Sequence, residues 1–134
     1  MEDLITYHEF EKALKEMKNG KSPGYGNIII ELFKEGGNLA KQILYDLTFS
    51  IWLESTVTED WGKHISVPFD ESKVDAGKCE SLRGITLICR AANLYDRILE
   101  KRARDIIEPQ LGKEEHGYRK DRSTSDLLFT LRHD

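Results

Sequence analysis

Leu39, Ile43, Leu47 and Ile51 recur every four residues, with Leu44 and Trp52 beside them. That spacing predicts an amphipathic helix of about four turns. No other stretch of the chain constrains the fold as firmly. An apolar face of that length has to be covered, so the remaining segments must supply elements that pack against it.

Several segments are suited to the task. Thr6-Tyr-His-Glu9 is a capping box, and Phe10, Ala13, Leu14 and Met17 follow at helical spacing. A first helix is expected from about Tyr7 to Lys18, closed by Asn19-Gly20. Lys21-Ser-Pro-Gly-Tyr-Gly-Asn27 is a Gly/Pro loop. Ile28–Lys34 has the β-branched content of a strand, but the Gly36-Gly37 stop and the returning charges favour a short helix. Thr58-Glu-Asp-Trp61 has the form of a capped turn. His64–Phe69 alternates and contains Pro68, as an edge strand would, and Arg83–Ile88 is a second strand able to pair with it. The polar residues 70–82 between them form a loop. Ala91–Ile107 is a helix with Leu94, Ile98, Leu99, Ile106 and Ile107 inside, and Pro109 closes it. A last helix is expected from Ser123, with Asp126 completing its cap and Leu127, Leu128 and Leu131 on an apolar face. The pattern as a whole is α+β and helix-rich, with a short antiparallel strand pair.

Charge separates the chain more clearly than it labels it. The net charge is −4, unlike that of a free-standing nucleic-acid binder. Residues 1–60 hold 6 Lys/Arg against 11 Asp/Glu, whereas 61–134 hold 14 against 13, so positive charge is local and lies mainly in the C-terminal third. Cys79 and Cys89 lack partners at metal-ligand spacing, and the four histidines are scattered. The acidic start is not that of a signal peptide, and no run approaches the roughly 20 apolar residues of a membrane span. These features predict an intracellular protein, nuclear or cytoplasmic, that makes no membrane contact.

The basic segment Gly117-Tyr-Arg-Lys-Asp-Arg-Ser-Thr124 is the clearest candidate for binding an anion. It sets Arg119, Lys120 and Arg122 just before a helix N-cap, where cationic side chains, backbone N–H donors and a helix dipole all favour phosphate. A solvated turn is the simpler reading of such a loop. Other charged residues also have ordinary explanations. Arg83 could pair with an acidic neighbour in the 70–80 loop. Arg97, Lys101, Arg102 and Arg104 suit a solvated helix face with i,i+4 partners such as Glu100 and Asp105. Trp52 and Trp61 sit near apolar runs and are expected in the core.

Seven segments, taken in order, carry a resemblance. They are Lys18-Asn-Gly-Lys-Ser-Pro-Gly24, Trp61 with Pro68, Cys79 through Arg83-Gly-Ile-Thr-Leu87, Arg97-Ile-Leu99, Ile107-Glu-Pro-Gln-Leu-Gly112, Gly117-Tyr-Arg-Lys-Asp-Arg-Ser-Thr124, and Phe129-Thr-Leu-Arg132. Across about 115 residues the chain resembles the N-terminal, fingers-side part of the reverse transcriptase, an RNA-directed DNA polymerase, of non-LTR (LINE-type) retrotransposons. The resemblance implies the fingers subdomain of a right-hand polymerase with its palm truncated. Residues 1–60 would be a helical N-terminal extension, and 61–134 the fingers and the approach to the palm. It further implies that Arg83 contacts nucleotide phosphates. Arg119 and Arg122, with Lys120 and Tyr118 beside them, would lie along the template, and Lys18 and Lys21 would close over template and primer. The implied partners are an RNA template or primer–template, bound weakly and in a salt-dependent way, and the missing palm and thumb.

The departures from that pattern reduce anion binding. Tyr25-Gly26-Asn27 stands where Pro-Asp-Gly is usual, and Leu82 where a tyrosine precedes the arginine. Asp70 and Glu71 replace a lysine pair, and Asp121 replaces the glycine between the template-side arginines. Two-metal nucleotidyl transfer needs carboxylates to hold Mg²⁺. The resemblance places them in two aspartate segments downstream of Thr130-Leu-Arg132. This chain alone is therefore expected to be inactive, with no catalytic residues, no metal site and no cofactor of its own; Mg²⁺ is expected only in a full-length polymerase. The alternatives are a non-enzymatic domain that binds nucleic acid or protein, and a functionless relic of a mobile element.

Overall fold

The fold is known from a computed structural model, which describes residues 3–70, 82–112, 115, 117, 119, 121, 123 and 125. It is helix-rich α+β. The elements are α1 (Tyr7–Glu16), α2 (Ile30–Glu35), α3 (Gly37–Glu54), a 3₁₀ turn (Glu59–Gly62), strands β1 (His64–Asp70) and β2 (Leu82–Ile88), α4 (Arg90–Ile107) and a 3₁₀ turn (Glu108–Gln110). The chain divides into two compact units, Met1–Leu99 and Glu100–Asp134, with the boundary inside α4.

The first unit holds the core, and its assembly starts at a cap. The Thr6 hydroxyl accepts the Glu9 N–H at 3.2 Å, and the Glu9 carboxylate accepts the Thr6 N–H at 2.9 Å, so two otherwise orphaned donors are satisfied at the head of α1. This places Phe10, Ala13 and Leu14 inward, where they meet Ile5, Ile30, Leu44, Ile51, Leu94 and Ile98. Burying side chains of this size contributes roughly 1.5–3 kcal/mol each. Around Phe10 the rings of Tyr7 and Tyr45 stack at tilted or edge-on angles, with centroids 5.2–5.7 Å apart. The Tyr45 hydroxyl donates to the Ile5 carbonyl at 2.9 Å. Trp52 and Trp61 pack against the core from its periphery.

Three expectations need correction. Helix α1 ends at Glu16, not Lys18: Met17 turns to an extended conformation that buries its side chain, and its carbonyl is taken by the Lys34 ammonium. Helix α3 forms as expected but buries Leu44, Thr48 and Ile51, leaving Leu39, Ile43 and Leu47 at 74%, 59% and 36% exposure. At 3.6 residues per turn a four-residue step advances about 400°, so the stripe spirals by about 40° per member and only Ile51 reaches the core. Helix α4 buries Ala91, Ala92, Leu94, Tyr95 and Ile98, while Ile106 and Ile107 are exposed. Periodicity marks a face; neighbouring elements decide how far along the helix that face is covered.

Strands β1 and β2 pair antiparallel, Val67 opposite Ile85 and Phe69 opposite Arg83. Directly opposed residues share a face, so Ile65, Val67, Phe69, Ile85 and Arg83 stand together. The other face brings His64, Thr86 and Ile88 toward Trp61, Ala92 and Tyr95.

In the second unit, the end of α4 is laced by Arg104, whose Nε donates to Glu100 at 2.7 Å. Of the loop expected at 70–82, Asp70 ends β1 and Leu82 begins β2; residues 71–81 between them, and Asp126, Leu127, Leu128 and Leu131 of the helix expected from Ser123, lie outside the described residues.

Candidate nucleic-acid interface

The loop that carries Lys18 and Lys21 is held from two directions within the first unit. On one side α2 reaches back to it. The Glu31 carboxylate accepts the Gly20 N–H at 2.5 Å, and the Lys34 ammonium, one turn along, donates to Asn19 Oδ1 at 2.7 Å and to the Met17 carbonyl. The Gly20 hydrogen bond is the main reason the Glu31 carboxyl is held below the usual carboxylate range, with Lys34 and Arg90 adding positive charge nearby. On the other side Gly24 is packed onto the junction of β2 and α4. A Cβ added there would lie 2.5 Å from the Ile88 carbonyl oxygen, and Gly24 has φ +72°. Only glycine meets both conditions without strain.

This double attachment lines up the loop with the first turns of α4. Lys18, Lys21, Arg90, Asn93 and Arg97, with Glu16 and Met17, line a cleft of about 400 Å³. Four cations and one carboxylate leave a local excess of three positive charges, on a chain whose net charge is −4. Glu16 is paired with Arg97 at 3.2 Å. Among the described residues, Lys18, Lys21 and Arg90 have no carboxylate within ion-pair distance, and Arg90 Nε is buried without a hydrogen-bond partner. Arg97 was expected to find its partner one turn along α4; it reaches Glu16 of α1 instead.

The other anticipated site residues are placed differently. Arg83 is exposed on the hairpin, on the apolar face and opposite Phe69. Arg119 is only 11% exposed, and its guanidinium is used internally. It donates to Glu108 at 2.9 Å and to the carbonyls of Gly112 and Glu115, each at 3.0 Å. Asp121, where the resembling pattern has glycine, takes the left-handed backbone that glycine favours, φ +58°. Tyr118, Lys120 and Arg122 lie outside the described residues.

Sequence reasoning missed Arg90 and Asn93. Their spacing of three residues at a helix start puts both on one face of α4. Nothing in that spacing indicates a loop more than sixty residues earlier in the chain packing against it. Among the described residues, no group of three His, Cys, Asp or Glu is placed to hold a metal ion, and no helix is long and apolar enough to cross a membrane. Compared with known proteins, the chain matches no family model, no curated protein and no solved structure.

Proposed function

We propose that this chain is a nucleic-acid-binding, fingers-side portion of a reverse-transcriptase-like polymerase of the non-LTR type. In this reading it holds template and nucleotide phosphates and does not itself carry out nucleotidyl transfer. Seven ordered segments support the reading from the sequence. The observation that carries it is the cleft in which Lys18 and Lys21, expected to close over template and primer, meet Arg90 and Arg97. The Lys18 and Lys21 ammonium groups and the Arg90 guanidinium, without carboxylates at ion-pair distance among the described residues, suit phosphate oxygens, and a prepositioned loop loses little entropy on binding. Arg83, exposed on β2, would serve as a second phosphate contact.

Filter binding of single-stranded RNA across a salt series tests this. Weak binding is expected, with affinity falling as salt rises, because each neutralised phosphate releases counterions. Absence of binding even at low ionic strength would overturn the proposal. A second reading, a protein-binding module, has its own observation: Ile65, Val67, Phe69 and Ile85 are 42–53% exposed on one hairpin face. Salt-insensitive association that Val67→Ser abolishes would favour that reading.

A further inference from the structure

The cleft beside Arg90 has a feature that a track for a nucleic-acid backbone does not need. A single strand presents one phosphodiester charge per about 3.4 Å of helix rise, so a protein that follows it spreads cations along its path. Here Lys18, Lys21, Arg90 and Arg97 surround one cavity, an excess of three positive charges over Glu16, its one lining carboxylate, while Glu31 behind the cleft feels the charge of Arg90. The better electrostatic match is a compact group carrying two or more charges. A phosphate monoester bears about −1.5 to −2 at neutral pH and three acceptor oxygens, where a diester bears one charge.

We infer that this cleft is a site for a phosphoryl di- or polyanion, and that Arg90, flanked by Asn93, is its principal recognition residue. This rests on the nucleic-acid reading for its biological setting but not for its chemistry. Arg90 offers a planar fork of donors, and its Nε is buried and unpartnered among the described residues. Asn93, one turn along α4, adds an amide to the same wall. Its own hydrogen bond, to the Ile88 carbonyl, is long at 3.5 Å. Lys18 and Lys21 close the opposite wall on a loop already fixed by Glu31, Lys34 and Gly24. Glu16 competes with the ligand for Arg97, so the cleft contains its own restraint on anion affinity.

Two sources share this chemistry: the 5′-terminal phosphate of a nucleic acid and the polyphosphate tail of a nucleotide. Titration calorimetry of the full chain with inorganic pyrophosphate, at constant ionic strength, is the primary test. Competition by pyrophosphate for 5′-phosphorylated and 5′-hydroxyl RNA of one sequence distinguishes the sources. Saturable pyrophosphate binding is expected, weakened about tenfold by Arg90→Gln. Glu16→Gln should strengthen it several-fold, a gain that a misfolded variant would not produce. A preference for the 5′-phosphorylated RNA assigns the site to a strand end; pyrophosphate binding without that preference assigns it to a nucleotide tail. Pyrophosphate binding without any RNA binding would sustain the site and remove the function proposed above. RNA binding with no pyrophosphate binding, or pyrophosphate binding unaltered by both variants, would overturn the inference. RNA binding alone would leave the nucleic-acid reading standing.

Discussion

The loop cations Lys18 and Lys21 and the arginine Arg119 use their charges in opposite ways. Around the loop of Lys18 and Lys21, the supporting contacts come from Glu31, Lys34 and Gly24, so the loop's own cations line the cleft without carboxylate partners among the described residues. At Gly117–Thr124, Arg119 is itself a supporting contact: it joins Glu108 to the carbonyls of Gly112 and Glu115. A cation that holds its own turn together has little left to offer a ligand. Basic composition therefore indicates where an anion could bind only after the internal hydrogen bonds have been counted.

The largest effect that would sharpen this contrast is expected at Gly24. Gly24→Ala sets a Cβ 2.5 Å from a backbone oxygen at positive φ, and should cost about 3 kcal/mol and abolish RNA binding. Chemical denaturation with parallel binding assays would reveal it, and an unchanged midpoint would mean that the loop is not seated on Ile88. Arg119→Ala should come next, destabilising by about 2 kcal/mol through the unpaired acceptors it leaves, while RNA affinity falls by less than about twofold. A large affinity loss with an unaltered melt would reverse the roles assigned to the two segments. The double change Lys18→Ala with Lys21→Ala should behave in the opposite sense, lowering the slope of log affinity against log salt by about two units at nearly constant stability.

The smallest effect concerns pH. Because Glu31 is held below the ordinary carboxylate range, its clamp on Gly20 is fully present above that range and is lost as pH falls through the lowered value. Wild type should exceed Glu31→Gln in stability at neutral pH, with the difference disappearing as pH falls below the ordinary carboxylate range. Urea midpoints measured from neutral to acid pH would show it, and a difference independent of pH would remove the carboxylate from the clamp.

Much of the framework was legible residue by residue. The Thr6/Glu9 box, the Gly36-Gly37 break and the alternation at His64–Phe69 and Arg83–Ile88 depend on interactions within a few residues or between adjacent strands, and all appear where their residues point. Gly36 is packed against Leu32 and Ala40, as a close α2–α3 corner requires. The candidate site was half legible. Lys18 and Lys21 stand out in a Gly/Pro loop, whereas Arg90 and Asn93 look like any polar residues at a helix start. Arg97 was assigned a local partner because the i,i+4 rule sees only its own helix.

The sequence by itself determined that α3 is a helix with abundant apolar surface, since spacing sets which residues share a side. Only tertiary structure decided which side faces inward. Leu39, Ile43 and Leu47 have the stronger repeat, yet Leu44 and Ile51 join the core with Phe10, Leu14 and Leu94, and Thr48 is buried as well. Thr48 is tolerated there because its hydroxyl donates to the Leu44 carbonyl at 2.8 Å. The physical reason is general to the molecule. Helical periodicity is a property of one backbone, but burial and charge pairing are properties of two surfaces, and the second surface comes from elsewhere in the chain.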